Sequence, residues 1–414
     1  MGVIKLQLKI NGLWLLLIVA AGFFCLLYIW FTLFPGRVNP EVLNYFSEQQ
    51  VHDGRAYSFV PGLLFALSFL AQAAFLIWLV FGGRAVAISR FFQQITGRSI
   101  WSYVLFFLVL WLILKLISLP FDLYTSFFWQ HHWGFSTQTL GAWWSDYIKS
   151  SGLELVLSAA GVAILFGIIG RWPSFWWLIT AALVSLWLVL QSLLWPVLIS
   201  PLFNRFEPVR DPEVTAMVQQ LAQKARLPVD QVLVMDASKR TTRANAYFTG
   251  LFGTKRIVLY DNLLSDYPMN QVKAVVAHEM AHWKQGHIIK GLLMGVAANF
   301  LIWLVLFLVL RSMVPSAGYY PPYTWAVILL FFLLVSFVGS PLQNYFSRGM
   351  EREADRVSVM LTGDVPGAVQ LEVNLAVKNL SDVSPPNFIR WFSYSHPPAL
   401  TRISDIKQEG RELK

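Results

Sequence analysis

Seven stretches of the chain are apolar almost without interruption: residues 13–34, 61–81, 101–119, 153–169, 175–199, 291–310 and 323–342. A helix crosses the hydrocarbon layer of a bilayer in about 20 residues, so each stretch reads as a membrane span. Polar intervals separate them. A loop with Glu48, His52 and Asp53 precedes the second span, a basic stretch with Arg84, Arg90 and Arg98 leads into the third, and Arg171-Trp172-Pro173 breaks the fourth from the fifth. Gln72, Lys115, Glu154, Gln191 and Asn299 lie within spans. Lys115 and Glu154 would be costly against lipid, so they are expected either to face the interior or a hydrated cavity, or to snorkel from a span end.

Two polar segments are too long to be simple connectors. In 200–290, residues 211–224 alternate as an amphipathic helix, and 231–235, 244–249 and 256–260 read as strands, the last two joined by a glycine-containing loop. The chain therefore divides into five spans (1–199), a small α/β domain (200–290), two spans (291–342) and a C-terminal polar segment (343–414). The fold class is mainly α: a polytopic membrane protein of about seven transmembrane helices carrying a small α/β domain.

Composition supports this. Hydrophobic residues make up 56% and charged residues 13%, whereas soluble domains carry about 25% charge. The net charge of +9 fits basic juxtamembrane loops at an anionic leaflet. No basic stripe with interleaved aromatics suggests a nucleic-acid partner. Basic residues flank both sides of the spans, so charge alone does not orient the chain. Residues 1–10 resemble a signal n-region, but the following apolar run is too long for one and reads as a retained helix. The single cysteine, Cys25, excludes an intramolecular disulfide and a cysteine zinc site.

The chemistry concentrates in residues 271–290, QVKAVVAHEMAHWKQGHIIK. His278, Glu279 and His282 form H-E-x-x-H. On a helix, residues four apart share a face, so both imidazoles can hold one metal ion while Glu279 reaches a water beside it. With 7 His and 23 acidic residues in the chain, a chance H-[D/E]-x-x-H is expected only ~0.007 times, so the motif is a strong signal. Gln285 and Ile288 replace the Gly and His of the metzincin extension, and the third ligand is expected from a later helix. SRGMEREAD (347–355) offers Glu351 as ligand and Asp355, on the same face, to accept a hydrogen bond from a ligand histidine. Glu353 points ~200° away and reads as a solvated charge. His287, five residues after His282, reads as a neighbour of the site or a surface residue rather than a ligand. Two spans separate the histidines from Glu351, so both halves emerge on one side, with the N-terminus opposite.

Six words in one order, HHWGFSTQT (131–139), SPLFNRFEPV (200–209), SKRTTRANAYFTGLFGTKRIVLYDNLL (238–264), HEMAHWKQGH (278–287), SRGMEREAD (347–355) and YSHPPALTRI (394–403), resemble the type I CAAX prenyl endopeptidases, integral-membrane zinc proteases. The resemblance implies seven helices around a water-filled intramembrane chamber, one zinc ion per chain on His278, His282 and Glu351, and a cytosol-facing site with Glu279 as base. It implies substrate binding by Asn245 and the adjoining Ala246, and support of substrate or transition state by His396 and Arg402. A strand at 244–249 could also pair with an extended peptide, with Asn245 stabilising either the peptide or the strand end. His396 or Arg402 could donate to an oxyanion, or Arg402 could anchor the site carboxylates. The segment 261–271 lacks the long charged insertion of many animal and fungal members, as in a prokaryotic member of the family.

The expected function is a membrane-embedded zinc metalloendopeptidase that removes the C-terminal tripeptide of prenylated proteins. The expected partners are a peptide or protein substrate, prenylated in the family, and the lipid bilayer of a prokaryotic cytoplasmic membrane, or of the endoplasmic reticulum in a eukaryote. One alternative is a membrane-protein quality-control protease with no prenyl requirement. Another is a transporter or channel with a degenerate zinc site, motivated by Lys115 and Glu154.

Overall fold

The computed structural model describes residues 8, 10–249, 255–313 and 319–412. Most of residues 1–10, and the loop expected between the strands at 244–249 and 256–260, lie outside the described residues. Seven helices among the described residues are long and apolar enough to cross a membrane: Gly12–Leu33, Glu48–Phe81, Ile100–His132, Leu140–Arg171, Trp176–Leu202, His287–Met313 and Thr324–Thr362. The number agrees with the hydropathy pattern. Four of these helices, the second, third, fourth and seventh, run well past their apolar stretches, and the extensions of the second and seventh bear on the site.

The second span begins at Glu48 rather than 61, in what read as a polar loop. Ser47 accepts from the Gln50 N–H, and the Gln50 side chain accepts from the Ser47 N–H. This capping box starts a helix that runs on through Pro61. Its first turns stand out of the apolar layer and approach the C-terminal segment closely. A Cβ on Gly54 would lie 2.3 Å from the Ser381 carbonyl oxygen, so only glycine fits there. The seventh span does not end at 342. It continues as one helix through Pro341 to Thr362 and carries Glu351 and Asp355.

Within the spans Gln72, Lys115, Glu154 and Asn299 have partners. Lys115 and Glu154 pair with each other at 2.6 Å across the third and fourth spans. Asn299 donates to the Ala181 carbonyl at 2.8 Å and to Ser185 Oγ at 3.0 Å. The basic stretch after the second span forms the helix Arg84–Thr96.

The polar segment after the fifth span builds a four-stranded sheet: β1 (Phe206–Pro208), β2 (Gln231–Met235), β3 (Ala246–Thr249) and β4 (Arg256–Tyr260), in the order β1-β2-β4-β3. β2 and β4 are parallel and the outer pairs antiparallel, which leaves β3 at an edge. β1 is too short to show as alternation in the sequence. The helix Pro212–Ala225, close to the amphipathic segment expected at 211–224, buries Val214, Val218 and Leu221 against the sheet and the motif helix, Met269–Lys284.

The same apolar core takes in Ala354, Val357 and Leu361 from the end of the seventh span and Leu371 from the helix Val365–Lys378. The segments on either side of the last two spans thus form one core. A smaller cluster joins Val42, Phe46 and Val51 to Ala376, Val383 and Ile403 and ties the first connector to the C-terminal helices.

Candidate metal centre

The motif helix ends at Lys284, and Gly286, at φ 67°, turns the chain into the sixth span. Such a left-handed turn suits glycine. The helix packs along the extended seventh span, so His278 and His282 face Glu351. His278 Nε2 lies 3.1 Å from His282 Nε2 and 3.3 Å from Glu351 Oε2, and His282 Nε2 lies 3.4 Å from Glu351 Oε1. Donors bound at about 2.0–2.1 Å in a tetrahedron stand about 3.4 Å apart. The spacing fits one small metal ion.

The hydrogen bonds behind the imidazoles favour the same use. Asp355 Oδ1 lies 2.9 Å from His278 Nδ1 and accepts a hydrogen bond from its N–H, which turns Nε2 toward the centre as the ligand nitrogen. A longer relay does this for His282. His287 Nε2 donates to Glu353 Oε2 at 3.0 Å, which leaves His287 Nδ1 to accept from His282 Nδ1 at 2.9 Å. Two imidazole nitrogens and a carboxylate therefore converge. Glu351 Oε2 is buried and accepts no hydrogen bond, a cost that a bound cation removes. Burial lowers the pKa of His278, but the adjoining carboxylates of Asp355 and Glu351 outweigh it and carry the value up to about 10. The cluster favours positive charge at its centre.

Glu353 is therefore not the solvated charge its helical position suggested. His287 is buried, next to the cluster and not part of it. Glu372, which drew no attention in the sequence, is also buried. Arg402 forks between carboxylates. Its Nε and Nη2 donate to Asp355 at 2.8 and 2.5 Å, and its Nη1 reaches Glu372 at 2.9 Å. These contacts direct Nε, Nη1 and Nη2 of Arg402 at the site carboxylates, the geometry of an anchor. Burial carries the Glu372 pKa up to about 7 even beside Arg402. The only hint in sequence was a Glu between apolar neighbours in AVQLEVNLAV (368–377).

Glu279 lines a cavity of about 890 Å³ together with His278, Asn245, His396 and Arg402. Burial raises its carboxyl pKa, although the two imidazoles pull the other way. His396 Nε2 lies 3.4 Å from Glu351 Oε1, and desolvation beside the cluster lowers its pKa. Tyr260 N–H donates to the Asn245 carbonyl at 3.0 Å, so the next residue turns its backbone toward the open edge of β3. The Ala246 N–H there is held by Asn245 Oδ1 at 2.9 Å. Ala246 itself is buried and paired opposite Leu259. Two further cavities, of about 600 and 700 Å³, lie between the spans. The first shares Tyr57, Ser58, Asp382 and Tyr394 with the site cavity, and the two share Pro61 and Thr125 with each other.

This fold and this cluster define a metal-dependent peptidase built on a multi-pass membrane scaffold. Comparisons with known proteins agree. Residues 208–410 match peptidase family M48, and residues 34–205 match the CAAX prenyl protease N-terminal region of five membrane helices. The chain is 28% identical to the uncharacterized metalloprotease YhfN of Bacillus subtilis, over 95% of this chain and 96% of that one. It is 30% identical to CAAX prenyl protease 1 of Saccharomyces cerevisiae, over 72% and 70% of the two chains. The crystal structure of S. mikatae Ste24p superposes with a TM-score of 0.82 at 24% identity, over 94% of this chain and 96% of that one, and so shares the fold. The chain belongs to peptidase family M48, in its CAAX prenyl protease 1 branch. The near full-length bacterial relative fits the prokaryotic membership suggested by the short 261–271 segment.

Proposed function

We propose that the metal is one zinc ion held by His278, His282 and Glu351, and that the enzyme cuts an extended peptide close to its C-terminus. The observation that carries this reading is the convergence of two imidazole nitrogens and an unpartnered carboxylate oxygen, with Glu279 at their side, in a cavity that Asn245 lines just before the edge strand β3. Bound zinc supplies Lewis-acid polarisation of a carbonyl and acidifies water.

The chain's own residues do the rest. The free edge of β3 binds the substrate main chain, with Asn245, whose Oδ1 already holds the Ala246 N–H, contributing its side-chain amide at the start of the strand. Glu279 takes the proton of the attacking water on its carboxylate and hands it to the leaving amine. His396 donates Nε2–H to the oxyanion that develops on the scissile carbonyl. Asp355 and Arg402 hold His278 in its working tautomer and orientation.

The substrate class follows the names of the relatives, CAAX prenyl proteases in yeast and human among them: a prenylated C-terminal segment that loses its last three residues. The site faces the cytoplasm of a prokaryotic cytoplasmic membrane. The short 261–271 segment favours a second reading, quality-control cleavage of membrane proteins without a prenyl group.

Zinc content and peptide cleavage, measured for wild type and Glu279→Gln, test both readings. The expected result is stoichiometric zinc in both proteins and cleavage of a farnesylated CAAX peptide by wild type alone. Equal cleavage of the unfarnesylated peptide moves the substrate to the second reading. Turnover by Glu279→Gln, or protein that takes up no zinc, overturns the mechanism.

A further inference from the structure

The site cavity is lined by two arginines, Arg402 and Arg243. Arg402 is committed to Asp355 and Glu372. Arg243 is not committed to any acid. No carboxylate among the described residues pairs with it, whereas the nearby Arg240 holds Asp146 at 2.9 Å. The Arg243 guanidinium lies 4.2 Å from the ring centre of Phe135 and 5.2 Å from that of Tyr57. Its Nη2 donates to the Tyr57 hydroxyl, and its Nε is buried without a partner.

The position is built. The 131–139 word runs beside the 238–243 word: Thr242 N–H donates to the Phe135 carbonyl at 3.1 Å, and Thr137 N–H to that of Arg240 at 3.2 Å. Buried Asn262 donates to the carbonyls of Thr241 and Arg243 at 3.0 and 2.8 Å. Tyr57 in turn contacts Gln130 Oε1 at 3.0 Å. Backbone and side chain are both held, and a guanidinium fork is left facing the cavity with its charge unmatched. Half-burying a cation costs free energy unless an anion arrives. Asp382, which also lines this cavity, is occupied by Arg55 at 3.9 Å and by the Ser384 N–H at 3.0 Å.

We propose that Arg243 receives the free C-terminal carboxylate of the substrate and so makes the enzyme a cutter of chain ends. This rests on the protease reading above, and direction along β3 supports it. Antiparallel pairing is the commoner mode. A peptide pairing in that mode with the free edge runs from Thr249 toward Ala246, and its C-terminal side continues past Asn245 to Arg243. Arg243 is two residues beyond Asn245, about 7 Å along an extended chain. A chain that ends two or three residues after the cut brings its carboxylate there. An arginine fork matches a carboxylate in two parallel hydrogen bonds, and a stacked guanidinium tolerates partial burial. A longer chain has no carboxylate at this point and leaves the cation unmatched.

The test uses one farnesylated, fluorescently labelled peptide ending Cys-Val-Leu-Ser, as the free acid and as the C-terminal amide. Binding is measured by anisotropy to full-length, zinc-loaded Glu279→Gln protein in detergent, with Arg243 intact or changed. The acid is expected to bind about tenfold or more tighter than the amide. Arg243→Gln lowers the acid to the level of the amide, and Arg243→Lys, which keeps a cation, retains part of the preference. Equal binding of acid and amide with Arg243 intact overturns the proposal, as does an equal loss of both in Arg243→Gln, the signature of a merely structural arginine. Cleavage by the Glu279 enzyme is followed in parallel. If cleavage is absent while the acid preference stands, the protease reading fails and the carboxylate site does not.

Discussion

Replacing Arg402 with Met separates an anchoring role from a catalytic one. Its side chain is only 13% exposed and meets the side chains of Asp355 and Glu372, 5% and 6% exposed. The variant strands Asp355 and Glu372 together. Removing one partner from a buried ionic cluster costs about 3–5 kcal/mol. At about 2–4 °C per kcal/mol for a core of 150–250 residues, the melting midpoint should fall by roughly 6–20 °C. Asp355 would also lose its hold on His278, which weakens zinc binding by about 10–100-fold. Changing Glu372 to Gln in the same protein leaves a single stranded carboxylate, so the double variant should melt above Arg402→Met, with a coupling of about 1–3 kcal/mol. The assay is thermal unfolding in detergent alongside zinc titration of the metal-stripped proteins. An Arg402→Met protein that melts and binds zinc like wild type, with only kcat reduced, would refute the anchoring argument and return Arg402 to the oxyanion.

Two other measurements bear on the site. His287→Phe should weaken zinc binding by about 10–100-fold and recover activity as zinc is raised, because His287 sets the tautomer of His282 without contacting substrate; zinc-dependent activity measures this, and an unchanged zinc requirement removes the relay. The pKa of Glu279 is raised by burial, so its carboxylate is populated only above the ordinary glutamate range and activity should fall as pH drops through the raised value; a kcat/KM profile flat down through pH 5 would contradict that environment.

The spans and the convergence of His278, His282 and Glu351 were readable because their signals are local. Apolar stretches announce a membrane without any tertiary knowledge, and the four-residue spacing of His278 and His282 puts them on one face wherever the helix lies. Glu351 was found by the same argument applied to a second helix. What stayed hidden depends on how helices pack. Helical geometry correctly turned Glu353 away from the centre, yet it could not show that His287, entering the next helix, waits on that side. Glu372 looks like any polar residue on a short helix until Arg402 arrives from 30 positions later in the chain. The start of the second span at Glu48 was masked because hydropathy reads only the part of a helix that lipid touches, while Ser47 and Gln50 set where the helix begins. Arg243 sat in a recognisable word, but its missing counter-charge is a property of the cavity.

Because the sixth span follows the motif helix across Gly286 and the seventh runs unbroken into Glu351, a metal held by His278, His282 and Glu351 would close a ring through both membrane helices. The centre is a clasp between two membrane helices. A slip of one residue along the seventh span moves the third donor by about 1.5 Å and swings it about 100°, whereas metal–ligand bonds tolerate about 0.2 Å. The vertical register of that helix in the bilayer is thereby a coordination parameter. Lipid thickness, which tilts and shifts helices, would bear on the geometry of a metal held there.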